Sequence, residues 1–194
     1  MSEDIRLSFE FFPAKTDVGR EKLDKVRDEL ALLKPEFYSV TYGAGGSTRD
    51  NTKKIISDYS SAGFAVAPHL SFGGDEIDTI KQLISEYKAA GVNRIVALRG
   101  DMPSGMGGSS QLVYANELVT FIRENFGNHF HLEVAAYPEI HPEAKSFSDD
   151  IGYLKGKFDA GANSAITQYF FNPDAYFYFM EQCQKAGIDQ PIYP

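Results

Sequence analysis

Side chains able to do chemistry collect at one kind of place in this sequence, the downstream end of short apolar runs. Glu10 stands inside Ser8-Phe9-Glu10-Phe11-Phe12-Pro13, Thr41 ends the run 37–41, His69 follows Ala67-Pro68, and Arg99-Gly100-Asp101 closes 95–98. Tyr137, Glu139 and His141 follow the run 132–136, and Gln168 follows 164–167. A carboxyl in a partly dry place has a raised pKa and can act as a general acid, the chemistry expected of Glu10. Its competing reading is a carboxylate paired with a neighbouring Arg or Lys. A cation, a glycine and a carboxylate at a strand end suit a phosphate-bearing or heteroaromatic ligand. The alternative for Arg99 and Asp101 is an ion pair that closes the strand.

Other conspicuous residues carry less. His69 and His141 lack the tight ligand set a metal requires, so no metal is expected. His129 and His131 alternate beside a strand start and read as structural, and Cys183 reads as a packing residue within a helix. The glycine-rich stretches 43–47 and 105–108 match neither the dinucleotide nor the phosphate-loop fingerprint. Both read as flexible loops, the second a candidate lid.

These residues need a scaffold that brings strand ends together, and the sequence patterning supplies one. A helical segment repeatedly ends in a small residue plus glycine, with a short apolar strand directly after it. Ala62-Gly63, Ala90-Gly91 and Ala160-Gly161 precede strands expected at 64–68, 94–98 and 164–167. Phe126-Gly127 precedes 132–136, Lys34-Pro35 precedes 37–41, and Ala186-Gly187 precedes a strand beginning near Pro191. Glycine suits the left-handed position past a helix end, and proline cannot continue a helix. Helical stripes lie between: Leu23, Val26, Leu30 and Leu33; Ile80, Leu83, Ile84 and Tyr87; Leu112, Ala115, Leu118, Val119 and Ile122; Ile151, Leu154 and Phe158. Ser47-x-x-Asp50 has the form of a capping box.

Strands alternating with longer helices predict βαβ units and a parallel sheet, whose C-terminal rim is where sites are built. Period-two alternation in the first strand, 7–11, puts Ser8 and Glu10 on one face and Phe9 and Phe11 on the other. Six strands, six helices and the start of a seventh strand are expected in 194 residues. A complete eight-unit barrel needs about 250 residues, and an open doubly wound sheet suits the length better on size alone. No linker or domain boundary is evident, so residues 1–194 read as one domain.

Composition narrows the class. The chain is 43% hydrophobic and 24% charged, as expected of a soluble globular protein. Its net charge of −8 argues against a sequence-independent grip on nucleic acid. A single cysteine excludes an intramolecular disulfide. With no signal peptide and no run of about 20 apolar residues, a cytoplasmic protein with no membrane partner is expected.

The segments SFEFFP, SVTYGAGGSTRD, APHL, RIVALRGDMP, VAAYPEIHPEAKS and DAGANSAITQYFF, in this order, closely resemble methylenetetrahydrofolate reductases of the bacterial type. The resemblance implies an FAD-containing (β/α)8 TIM barrel in which a reduced nicotinamide, NADH or NADPH, reduces the flavin. The flavin then reduces 5,10-methylenetetrahydrofolate to 5-methyltetrahydrofolate. It implies that Glu10 is the acid that helps open the methylene bridge, that Asp101 tunes the flavin and orients folate, and that Gln168 contacts the substrate. It implies flavin contacts from Thr41, His69, Arg99, Gly100, Asp101, Tyr137, His141, Asp150 and Lys157. NADH is favoured over NADPH, and a homo-oligomer is expected.

Two departures fall on one helix. Tyr153 and Gly156 stand where the best-known bacterial members carry an asparagine and an arginine that help hold the cofactor. Family members also continue past Pro191-Ile192-Tyr193-Pro194 with two more units, so this sequence is expected to be a piece holding about six and a half of the eight. Alternative readings are a related flavin-barrel oxidoreductase acting on another amine, and a non-catalytic FAD-binding fragment.

Overall fold

The computed structural model describes residues 5–42, 49–72, 76–99 and 114–194. Strands and helices alternate throughout: β1 (Ser8–Phe11), α1 (Asp17–Ala31), β2 (Phe37–Val40), α2 (Arg49–Ser61), β3 (Val66–Leu70), α3 (Ile77–Ala89), β4 (Arg94–Ala97), α4 (Ala115–Phe126), β5 (His131–Ala136), α5 (Phe147–Asp159), β6 (Ser164–Thr167), α6 (Pro173–Lys185) and β7 (Ile192–Tyr193). The strands form one parallel sheet in the order β1-β2-β3-β4-β5-β6-β7. Each strand adds beside its predecessor and the order never reverses. That is the winding of a barrel, and the open doubly wound alternative would need a switch point. The fold is a partial (β/α)8 barrel.

The strand registers explain how the sheet sorts its side chains. Glu10 lies opposite Ser39, His69 opposite Val96, and Val96 opposite Glu133. One alternating set, including Phe37, Ala67 and Val96, forms a small buried cluster with Leu98 and Ile166. The other set, including Phe11, Tyr38, Val40, Ile95, Leu132 and Val134, joins the large core shared with the helices. Period two along each strand therefore delivers the polar residues, together with this small apolar cluster, to one side of the sheet and the main apolar set to the other.

Most helical stripes bury as patterned: Ile80, Leu83, Ile84 and Tyr87 on α3, Leu118, Val119 and Ile122 on α4, and Ile151, Leu154 and Phe158 on α5. Cys183 is buried in that core. The stripe on α1 does not bury. Leu23 and Leu30 are only partly covered, Val26 is 43% exposed, and Leu33 lies beyond the helix end. An amphipathic pattern specifies a face, and the neighbour it meets is set by the rest of the fold. Boundaries also shift: the strand expected at 64–68 runs from Val66 to Leu70, because its apolar character continues through Leu70 into the core. Leu112, Ser47 and both glycine-rich loops lie outside the described residues.

The helix-to-strand glycines take the left-handed conformation expected of them, for example Gly63 at φ 87° and Gly91 at φ 82°. Lys34 fills the same role at φ 53° without being glycine. Thr16, Ser146 and Asn172 cap α1, α5 and α6, each accepting a backbone N–H from the first turn.

At the N-terminal end of the sheet a polar network closes the floor. Glu133 on β5 is fully buried and paired with the Arg94 guanidinium from β4. Ser164 on β6 donates to it, and His131 Nε2 lies 3.2 Å from its Oε1 and 2.6 Å from the Ser164 hydroxyl. Burial pushes the Glu133 carboxyl up, but its hydrogen bonds with His131 and Ser164 and the Arg94 charge outweigh that and hold it low. Arg6 pairs with Glu36, which faces Arg94 at 4.0 Å, and also bonds the Tyr193 hydroxyl. Residues flanking β1 thus touch β7, the opposite edge of the sheet, which shows how far the sheet has curled.

Candidate active site

The opposite, C-terminal end of the sheet gathers the residues expected to do chemistry. Glu10 lies one residue before the end of β1, half-exposed, and its Oε2 lies 3.4 Å from Nε2 of His69 on β3. His69 is buried, and burial drives its pKa down to about 4, so its ring is neutral at neutral pH. The contact is therefore no ion pair there. Burial also raises the Glu10 carboxyl above its ordinary value. A neutral imidazole brings no charge to oppose that shift, so Glu10 retains its proton to higher pH than a free carboxyl. The arrangement suits proton donation, and His69 is the partner; the reading of Glu10 as paired with Arg or Lys finds no such pair among the described residues.

Thr41 is held just past β2. Its N–H donates to the Phe11 carbonyl (2.9 Å), and its carbonyl accepts the buried Thr52 hydroxyl (3.0 Å). Arg99, past β4, forms an ion pair with Glu143 and lies over the Tyr114 ring at 5.6 Å. Its pairing with Glu143, from the β5–α5 loop, was not legible in sequence because 44 residues separate the two. Gly100 and Asp101 lie outside the described residues.

The β5–α5 loop and α5 supply a second cluster. The Tyr137 and His141 rings meet edge to face at 4.5 Å. The buried Asp150 carboxylate accepts the His141 N–H (2.9 Å), and His141 Nδ1 accepts the Glu143 N–H (3.0 Å). Nδ1 is thereby an acceptor, so any proton on the neutral ring sits on Nε2. The Lys157 ammonium donates to the Ala135 carbonyl (2.8 Å) and lies 5.7 Å from the Tyr137 ring centre. Burial lowers its pKa to about 8, the Asp150 charge opposing, so it remains mostly cationic at neutral pH. Asp150 and Lys157 share a helix face, as their seven-residue spacing requires.

Gln168, past β6, donates its N–H to the Ala136 carbonyl (2.7 Å). Its side-chain oxygen accepts the N–H of Tyr169 (2.8 Å). Tyr169 and Phe171 project beyond it, 77% and 82% exposed, with ring centres 5.0 Å apart.

The rim therefore offers an acid beside a neutral histidine, a cation beside an edge-to-face aromatic pair, an arginine, and a glutamine flanked by exposed rings. A flavin dinucleotide fits this donor set: Lys157 matches its phosphates, and Tyr137 and His141 its planar rings. Beside them on α5, a Cβ at Gly156 would meet nothing within 4 Å, and Tyr153 is 55% exposed. The departures on this helix thus leave open space rather than a blocked groove. Among the described residues no cluster of His, Cys, Asp and Glu side chains could hold a metal ion, and no helix is long and apolar enough to cross a membrane.

Comparison with solved structures places the scaffold. A phosphonopyruvate hydrolase complexed with oxalate and Mg++ superposes with a TM-score of 0.66 at 11% identity, over 97% of this chain and 66% of that one. A 2,3-dimethylmalate lyase of the PEP mutase/isocitrate lyase superfamily gives 0.58 at 10% identity, over 98% and 74%. At such identity the likeness concerns the fold alone.

Sequence comparison reaches further. The 5,10-methylenetetrahydrofolate reductase of Escherichia coli K12 is 46% identical over 191 residues, which are 98% of this chain and 63% of that protein. That of Buchnera aphidicola from Schizaphis graminum is 41% identical over 195 residues, 100% and 65% respectively. A plant relative, methylenetetrahydrofolate reductase (NADH) 1 of Arabidopsis thaliana, is 37% identical over 96% of this chain and 34% of its own length. The chain thus spans under two thirds of the bacterial relatives. The family model described as methylenetetrahydrofolate reductase matches residues 1–194 without a break, and this chain belongs to that family.

Proposed function

We propose that this chain carries the acid–base half of a flavin-dependent reduction of 5,10-methylenetetrahydrofolate to 5-methyltetrahydrofolate, with NADH as the electron donor. The observation that carries the reading is Glu10 beside the neutral His69 at the mouth of a family-matched barrel. Bound FAD supplies the hydride-transfer chemistry. Thr41, His69, Arg99, Tyr137, His141, Asp150 and Lys157 would hold it, with Gly100 and Asp101 completing that set as the family resemblance implies.

The chain's own residues divide the remaining work. Glu10, protonated beside the His69 ring, delivers a proton to a bridging nitrogen of the substrate as that nitrogen's bond to the methylene carbon breaks. His69 takes no charge in the working range and so does not pull that proton away. Gln168 commits its oxygen to the Tyr169 N–H and thereby leaves its Nε2 hydrogens to bind an acceptor on the substrate. Lys157 keeps a positive charge beside the Tyr137 ring, where phosphate is favoured.

The test is a visible absorption spectrum of the chain purified with FAD. A stoichiometric flavin band, bleached by NADH without oxygen and restored by methylenetetrahydrofolate, is the expected result. Flavin that is held and bleached but never restored by folate would reduce the role to cofactor binding. A colourless protein would overturn the reading for this chain. We further propose a homo-oligomeric, cytoplasmic enzyme, which sizing of the native protein and fractionation of its host would check.

A further inference from the structure

The loop between β5 and α5 reaches in two directions. Glu143 grips Arg99 beyond β4, and Glu139 reaches the other way, to the loop between β6 and α6. Its Oε1 accepts the backbone N–H of Phe171 (3.3 Å) and of Asn172 (3.2 Å). Those amides stand immediately before α6, where Asn172 is the cap and where a carboxylate is favoured by the helix dipole. One side chain thus ties down the backbone that carries Gln168, Tyr169 and Phe171.

The loop holding Glu139 adopts a conformation that its sequence does not favour. Ile140 sits at φ 66°, a left-handed conformation that a β-branched residue adopts only under constraint. Its N–H closes a turn onto the Tyr137 carbonyl (3.1 Å), and the next residue is anchored through His141 N–H to Asp150. Such local strain persists where surrounding contacts over-determine it. Here it places Glu139 and His141 on either side of a sharp reversal, one toward the β6–α6 loop and one toward Tyr137 and Asp150.

The loop that Glu139 restrains has the chemistry of a ligand wall. Tyr169 and Phe171 are large rings left almost bare beside a glutamine whose oxygen is already committed. Exposed aromatic faces beside an amide donor suit a planar, heteroaromatic ligand with ring acceptors. Without a restraint, ordering that loop would fall to the ligand and weaken its binding.

We propose that Glu139 is a positioning residue, which holds the β6–α6 loop so that Gln168 and the Tyr169–Phe171 pair meet the planar substrate. This rests on the reductase reading for the identity of that substrate. Among the described residues, the Glu139 side chain accepts its hydrogen bonds from backbone N–H groups, so its effect reaches the substrate through the loop.

The experiment compares Glu139→Ala with Glu139→Gln in the FAD-loaded chain. Amide exchange at Phe171 and Asn172, followed by NMR, should quicken about tenfold in the alanine variant, the order of one charge-assisted hydrogen bond. Affinity for 5-methyltetrahydrofolate, used as the stable probe, should fall about tenfold as well, while FAD affinity and bleaching by NADH stay unchanged. The glutamine variant keeps an acceptor oxygen and should restore both readouts. Unaltered exchange in Glu139→Ala would overturn the restraint. Faster exchange with unaltered folate affinity would overturn its role in binding. A parallel loss of FAD, not rescued by glutamine, would show general loosening and also overturn the proposal. If the parent chain holds FAD yet binds no 5-methyltetrahydrofolate, the reductase reading falls first and takes the substrate assignment with it.

Discussion

Two glutamates on the interior of one sheet live under opposite rules. Glu133 sits at the floor, fully buried, with the Arg94 guanidinium, the Ser164 hydroxyl and the His131 ring around it. Glu10 sits at the mouth, half-exposed, and among the described residues the neutral His69 ring is the ionisable partner beside it. The partners around Glu133 outweigh its burial and keep it ionised; burial at Glu10 has no such opposition and favours the proton. A satisfied carboxylate holds strands together. An under-satisfied one is available for transfer. The proposed acid role of Glu10 would separate these duties by end, the N-terminal face serving stability and the C-terminal face chemistry.

The comparison breaks most visibly at the floor. Glu133→Ala would strand the Arg94 charge in a mostly buried place, and loss of a buried partner costs about 3–5 kcal/mol. Urea unfolding should show that loss, while whatever protein remains folded should keep its flavin affinity. If stability hardly changed, the floor network would not be what stabilises this end of the sheet.

Acid titration is the next largest effect. His69 has a folded pKa of about 4, below its unfolded value of about 6.5. Between those values the unfolded chain binds more protons, so stability falls as pH drops through that window, by on the order of 3 kcal/mol in all. Glu133, also held low, adds its own loss as pH falls from its ordinary carboxylate value through its folded pKa. Thermal unfolding measured from pH 7 to pH 4 should therefore slope downward, and His69→Gln should flatten it. An unchanged slope in that variant would place the acid sensitivity elsewhere.

At the mouth the expected effect is on rate. Glu10→Gln removes the transferable proton at similar size, and general acid catalysis contributes at least about a hundredfold. Restoration of the bleached flavin by methylenetetrahydrofolate should slow by that much, with bleaching by NADH preserved. In the parent chain the same step should slow as pH rises through the elevated Glu10 pKa, because the acid form is lost there. Equal damage to both half-reactions would remove the acid role. The smallest effect is at Lys34, whose φ of 53° suits glycine better. Lys34→Gly should stabilise the chain by about 0.5–1 kcal/mol and leave both ends of the barrel untouched, which thermal melts would check.

Much of this is legible in the amino-acid sequence. Small-residue-plus-glycine endings and short apolar runs determined the alternation of strands and helices, because glycine supplies the left-handed turn and period two sorts each strand's faces. The same periodicity put Glu10 opposite to Phe9 and Phe11, and the recurrence of polar residues after strands marked the rim. The ordered motifs carried the family. Tertiary structure decided the rest. The failure of Val26 and Leu33 on α1 to bury depends on what packs beside that helix, and no local pattern encodes it. Nor could spacing reveal that Glu10 meets His69, that Arg99 chooses Glu143, or that Glu139 holds a loop more than 30 residues away. Residue type and period are properties of the chain, whereas a pKa or a partner depends on what surrounds a side chain, and only the closed sheet brings those surroundings together.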